Sequence, residues 1–168
     1  MRKGYNRRDA IPKTVLHALN TGQEEPRTLA EWLAIDVVQL LASVLPGAGL
    51  GDHADIVLQA ARKQDRKGPM KRHRAIGDIL FQVTRHSPET SRVFEALATH
   101  PSGVVREWAA LMVAADPHLA IEERIAQARR FAVAPSMNVR EIAWMSYRPY
   151  LAQNLAPALR VLADWVLD

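Results

Sequence analysis

Two segments of the chain, Pro101-Ser102-Gly103-Val104-Val105-Arg106-Glu107-Trp108-Ala109 and Pro135-Ser136-Met137-Asn138-Val139-Arg140-Glu141-Ile142-Ala143, share Pro-Ser-x-x-Val-Arg-Glu-x-Ala at a step of 34 residues. A weaker copy lies one step upstream in Lys71-Arg72-His73-Arg74-Ala75, where Arg72 falls under Arg106 and Ala75 under Ala109. Repetition at this length marks an array of helical hairpins. A single hairpin cannot bury its apolar face alone, and stacked neighbours supply the cover. Such a chain is expected to be all-α and to use an extended surface.

The punctuation along the chain agrees with helices. Ile11-Pro12 opens a short helix through Leu19, ended by Asn20-Thr21-Gly22. Thr28 caps a longer one in which Leu29, Leu33, Val37, Leu40, Leu41 and Val44 recur at three- and four-residue steps, stopped by Pro46-Gly47. Asp52 is placed to cap the next helix, and Gly68-Pro69 separates it from a partner over about 71–84. Helices follow over about 89–99, 104–115, 120–133 and 138–147, and a last one follows Pro157 and reaches Leu167. Leu97, Phe131 and Trp165 are spaced by the same 34 residues and read as core anchors of successive first helices. No segment alternates with period two, so no strand is expected. Residues 1–168 read as one domain, with residues 1–9 mobile and hairpins of period 34 from about 52 onward.

Charge is distributed unevenly. The chain carries 22 Lys+Arg against 18 Asp+Glu, yet Arg62, Lys63, Arg66, Lys67, Lys71, Arg72 and Arg74 crowd into one stretch whose only acid is Asp65. Such a patch suits a polyanion, although a solvated face has the same composition. With no cysteine, thiolate nucleophiles, disulfides and Cys-based zinc sites are excluded. The residues after the basic N-terminus form no signal-peptide core, and no apolar run approaches the ~18 residues of a membrane span, so a soluble cytoplasmic protein without a membrane partner is expected. The six histidines lack zinc-ligand spacing, so neither metal nor cofactor is expected. Pro46-Gly47-Ala48-Gly49-Leu50-Gly51 follows no strand and precedes no Gly-Lys-Ser/Thr, so it is a helix-ending turn rather than a phosphate loop.

A step of 34 first suggests tetratricopeptide repeats, but their small and aromatic positions would fall on Glu123, Gln127 and Arg130. A turn residue, two variable positions and Val-Arg heading the second helix are instead HEAT-like, which implies a right-handed superhelical solenoid of helical hairpins. Leu29-Ala30-Glu31-Trp32-Leu33-Ala34-Ile35-Asp36, together with Asn138-Val139-Arg140-Glu141 and Ser146-Tyr147-Arg148-Pro149-Tyr150-Leu151, resembles the bacterial DNA alkylation repair proteins, the alkylpurine DNA glycosylases built from HEAT-like repeats. The resemblance covers roughly residues 28–168. It implies double-stranded DNA held in a basic, aromatic-lined groove and hydrolysis of the N-glycosidic bond of cationic N3- or N7-alkylated purines. Such a base is already a good leaving group. A carboxylate near the sugar stabilises the developing oxocarbenium ion, and an indole holds the cationic base.

On this resemblance Asp36 is the candidate catalytic carboxylate and Trp32 the candidate lesion contact, four residues apart on one expected helical face. The alternative is a Trp32 packed into the first hairpin and an Asp36 paired with an Arg. Trp108 and Trp144 differ by one step within the repeat, so they are not the same structural anchor; both read first as core residues, and both are candidate lesion or DNA contacts because one of them is free to face the groove. Arg148 and its neighbour Tyr147, before Pro149 at an expected helix end, are candidate DNA contacts. Lys63, Arg66, Lys67, Lys71, Arg72 and Arg74 are candidate phosphate contacts. Arg106 and Arg140 are expected to tie adjacent repeats through acidic partners. A non-catalytic HEAT-repeat scaffold that binds nucleic acid or protein is the competing reading, because fold does not determine function. The final helix lacks a hairpin partner before Asp168, which suggests a shortened array or a face covered by self-association or another molecule.

Overall fold

The computed structural model describes residues 2–64 and 68–167, with side chains through Trp165, and among these residues every regular element is helical. The N-terminal part holds α1 (Lys13–Asn20), α2 (Leu29–Ala34) and α3 (Val37–Val44). The periodic stretch from Leu29 to Val44 is therefore two helices, not one. Thr28 caps α2 as expected, accepting from the Glu31 N–H at 3.2 Å. Ile35 and Asp36 are extended, and the Asp36 carboxylate accepts from the Val38 and Gln39 N–H groups at 3.0 Å each. An aspartate offers its own chain a capping acceptor that competes with continued helix. The apolar stripe breaks at the same point: Val37, Leu40, Leu41 and Val44 are buried, whereas Leu29 and Leu33 are exposed.

Three hairpins follow, preceded by a short 3-10 turn at Gly51–His53 that holds Asp52 in place of the expected cap. They are α4 (Ala54–Lys63) with α5 (Pro69–Thr84), α6 (Thr90–Ala98) with α7 (Gly103–Ala115), and α8 (Ile121–Ala132) with α9 (Met137–Gln153). The second helices α5, α7 and α9 pack side by side in that order, and α10 (Leu155–Leu167) packs on α8. Helix α7 is the centre of the core, with Val104, Val105, Trp108, Ala109 and Ala110 all shielded from water. Helices α5 and α7 approach so closely that a Cβ on Gly77 would lie 2.3 Å from Leu111 Cβ. Leu97 and Phe131 are buried anchors, and Phe131 meets Phe94 edge-on at 6.3 Å. Trp165, the third anchor, is half-buried and packs edge-on against Trp144.

The sequence repeat is also a backbone repeat. Ser102 and Ser136 precede α7 and α9 with φ, ψ of −74°, 124° and −72°, 124°. Arg106 Nη1 donates to the carbonyls of His100 (2.6 Å) and Pro101 (2.8 Å), and Arg140 Nη1 to those of Ala134 (2.6 Å) and Pro135 (2.8 Å). Each arginine thus closes the turn of its own hairpin by pairing carbonyls of the turn itself. The acidic partner found for Arg106, Glu25 at 2.8 Å, comes from the segment before α2 and not from an adjacent repeat.

That N-terminal segment is tied down through Glu31. Its buried carboxylate accepts from Arg2 (2.6 and 3.1 Å), the Tyr5 N–H (2.9 Å) and the Arg27 N–H (2.8 Å). Burial alone pushes this carboxyl up, but the Arg2 guanidinium and the two backbone donors outweigh it and hold the group below its ordinary range. Arg2 and the Tyr5 N–H, in the segment before α1, are thus bonded to Glu31 of α2.

Candidate functional site

The chemically distinctive cluster lies where α2, α5 and α7 meet. Trp32 Nε1 donates to both Glu107 oxygens, at 3.0 and 3.2 Å. His73 stacks on the Trp32 ring with centroids 4.9 Å apart and 20° between planes, and its Nδ1 lies 3.5 Å from Glu107 Oε2. On the far side, Trp108 Nε1 donates to the same Nδ1 at 3.2 Å. Glu107 and Trp108 are fully buried and His73 nearly so.

His73, Glu107 and Glu141 are spaced by the repeat step, so α5, α7 and α9 present one equivalent position each as a short ladder of titratable groups. Their environments differ along it. Burial pushes the Glu107 carboxyl up to about 8, against the Trp32 hydrogen bond and the Arg106 charge, which lower it, while Glu141 and Glu25 raise it further. Burial, with the nearby Arg72 charge, drives His73 down to about 3. At neutral pH the pair therefore holds an uncharged carboxylic acid and an uncharged imidazole. Glu141 is exposed.

A cavity of about 200 Å³ adjoins the cluster, walled by Leu29, Trp32, Met70, Glu107, Glu141 and Met145 together with Asn138 and Ile142. Two of its lining side chains are carboxylic and, among the described residues, none is basic. Glu107 borders it without reaching water, so the solvent-open wall is formed by its neighbours. A second cavity of about 400 Å³ runs on from it, sharing Leu29 and Asn138 and lined by Glu25, Arg27 and Pro135. A third, of about 380 Å³, lies elsewhere along α5, α7 and α9, with Arg74, Asp78, Ser146, Pro149 and Tyr150 in its walls. Burial raises the Asp78 carboxyl there, against the lowering charge of Arg74.

The sequence-derived candidates are dispersed by this geometry. Trp32 and Trp108 come together through His73, but Asp36 does not share a helical face with Trp32. The α2 break turns Asp36 into the cap of α3, exposed and hydrogen-bonded to that helix's N–H groups. Tyr147 is buried, donating from its hydroxyl to the Ala110 carbonyl at 3.2 Å. Arg148 is exposed, but it lies inside α9, which continues through Pro149 to Gln153 instead of ending at Tyr147. Trp144 is 40% exposed and sits beside α10. Lys63, Lys71 and Arg74 are exposed and Arg72 half-buried; Arg66 and Lys67 lie outside the described residues.

Glu107 and His73 were not singled out from sequence. The available signal was a carboxylate and an imidazole at repeat-equivalent places, with Glu107 between the apolar pair Val104-Val105 and the apolar run from Trp108 to Leu111. Among the described residues no group of three or more His, Asp or Glu side chains is arranged to hold a metal ion, and no helix is long and apolar enough to cross a membrane. Compared with protein-family models, curated proteins and solved structures, the chain matches none.

Proposed function

We propose that the chain is a right-handed superhelical solenoid of HEAT-like hairpins that binds double-stranded DNA and, like the alkylpurine DNA glycosylases it resembles, excises cationic N3- or N7-alkylated purines. The observation that carries this reading is the cavity beside Trp32. Its walls combine an indole, two thioethers and two carboxylic side chains with no basic one among the described residues, which favours an aromatic cation over a neutral base. The carboxyl that meets the indole is Glu107, so Glu107, ionised once a cation lies beside it, takes the charge-stabilising role assigned from sequence to Asp36. Exposed Lys63, Lys71, Arg74 and Arg148 supply phosphate contacts.

The test is incubation with duplex DNA carrying 7-methylguanine or 3-methyladenine and chromatography of the released base. Release is expected, and Glu107→Gln is expected to slow it on the order of 100-fold, whereas Asp36→Asn leaves it unchanged. One observation favours the non-catalytic scaffold: Glu107 is fully covered, with both oxygens already hydrogen-bonded. Salt-sensitive DNA binding without base release selects that reading. Absence of any DNA binding removes both and leaves a protein-interaction module.

A further inference from the structure

Glu107 and His73 meet as two buried titratable side chains. Trp108 donates to His73 Nδ1 at 3.2 Å, which marks this nitrogen as the ring's acceptor and puts the hydrogen of the neutral imidazole on Nε2. Glu107 Oε2 faces the same Nδ1 at 3.5 Å. The single lone pair of that nitrogen is taken by the Trp108 N–H, so His73 offers Glu107 no donor there, and the single Trp32 N–H, spread over both oxygens, does not compensate a full buried charge; the carboxyl therefore keeps its hydrogen. The surrounding charges are Arg72 on α5, Arg106 on α7, Glu141 on α9, and Glu25 before α2. Arg106 is already engaged with Glu25 and two turn carbonyls.

We propose that the cavity between α2, α5, α7 and α9 binds an N-alkylated aromatic cation, and that each cation taken up releases to solvent the one proton held on the Glu107 carboxyl. The inference rests on the reading of this cavity as a cation site, not on base excision. A cation seated against Trp32, Met70, Met145 and Glu141 lies beside the Glu107 carboxyl, which water does not reach. There its charge favours the ionised form of the acid strongly. The proton leaves for the buffer, so the cavity's charge is balanced before and after uptake. Burial holds the empty site's carboxyl protonated up to about pH 8.

Calorimetric titration of the intact chain with 1-methylnicotinamide and with uncharged nicotinamide, in two buffers of different ionisation enthalpy, tests this. The cation is expected to bind and the neutral amide not. The buffer difference should report about one proton released per cation at pH 7, with affinity rising roughly tenfold per pH unit below about 8 and flattening above it. Glu107→Gln, checked for folding by its thermal melt, should bind the cation at least about tenfold more weakly with no buffer-dependent heat, while Glu141→Gln weakens binding and keeps the proton release. Equal binding of nicotinamide, absence of cation binding, or heat independent of buffer overturns the proposal, as does proton release that survives in Glu107→Gln. Base release from alkylated DNA without cation binding overturns it while leaving the glycosylase reading. Cation binding with proton release but no base release does the reverse.

Discussion

At the scale of single residues, the buried pair of His73 and Glu107 governs how stability responds to pH. The folded Glu107 keeps its proton up to about 8, above its ordinary 4.5, so the folded state binds more protons than the unfolded one between those values and stability falls as pH rises through them. His73 stays neutral down to about 3, below its ordinary 6.5, so its contribution is lost as pH falls from 6.5 towards 3. Between about 4.5 and 6.5 the two slopes oppose each other, which predicts a broad stability maximum there and a decline towards pH 8. Thermal melts over this range should show that maximum, and Glu107→Gln should flatten the alkaline side while keeping the acid side. A variant as pH-sensitive as the parent above pH 7 would remove Glu107 as the cause.

At the scale of elements, the break between α2 and α3 and the arginine-closed turns carry the argument. Asp36→Ala is expected to cost about 1 kcal/mol of unfolding free energy in denaturant titration, because two N–H groups lose their acceptor, whereas Asp36→Asn keeps most of it. Arg140→Met and Arg106→Met each strip two turn carbonyls of a charged donor, at a cost of about 1–3 kcal/mol. Arg106→Met should be the more damaging, since it also leaves Glu25 without its partner. Equal losses in the two variants would show that the Glu25 pair contributes nothing to stability. The helices themselves were legible in the sequence from periodicity and from Gly and Pro punctuation. The α2 break was not, because Leu33 and Val37 keep helical spacing across it and only the capping geometry of Asp36 separates the two segments. Pro149 misled in the opposite direction: α9 absorbs it, and Tyr147 becomes a buried mid-helix residue.

At the scale of the whole molecule, the packing of α5 against α7 decides stability, and the placement of exposed charge bears on the proposed DNA binding. Gly77→Ala improves helix propensity by about 1 kcal/mol but drives a methyl into Leu111 at 2.3 Å, so a net loss of about 1–3 kcal/mol is expected on unfolding. A stabilised Gly77→Ala would mean that the two helices have room to separate. If the chain binds duplex DNA as proposed, replacing Lys63, Lys71 and Arg74 together by Gln should weaken that binding and reduce the slope of log affinity against log salt by roughly two to three. An unchanged slope would make them a solvated face.

The sequence by itself determined that the chain is helical and repeats every 34 residues, because periodicity, turn residues and the Val-Arg phrase are local properties that survive without knowledge of neighbours. Only the tertiary structure decided which groups meet. Trp32 reaches Glu107 across 75 positions and Trp108 reaches His73 across 35, and both contacts depend on how α2, α5 and α7 pack. Burial depth, which sets the protonation of Glu107 and His73, is a property of that packing and leaves no mark on residue spacing.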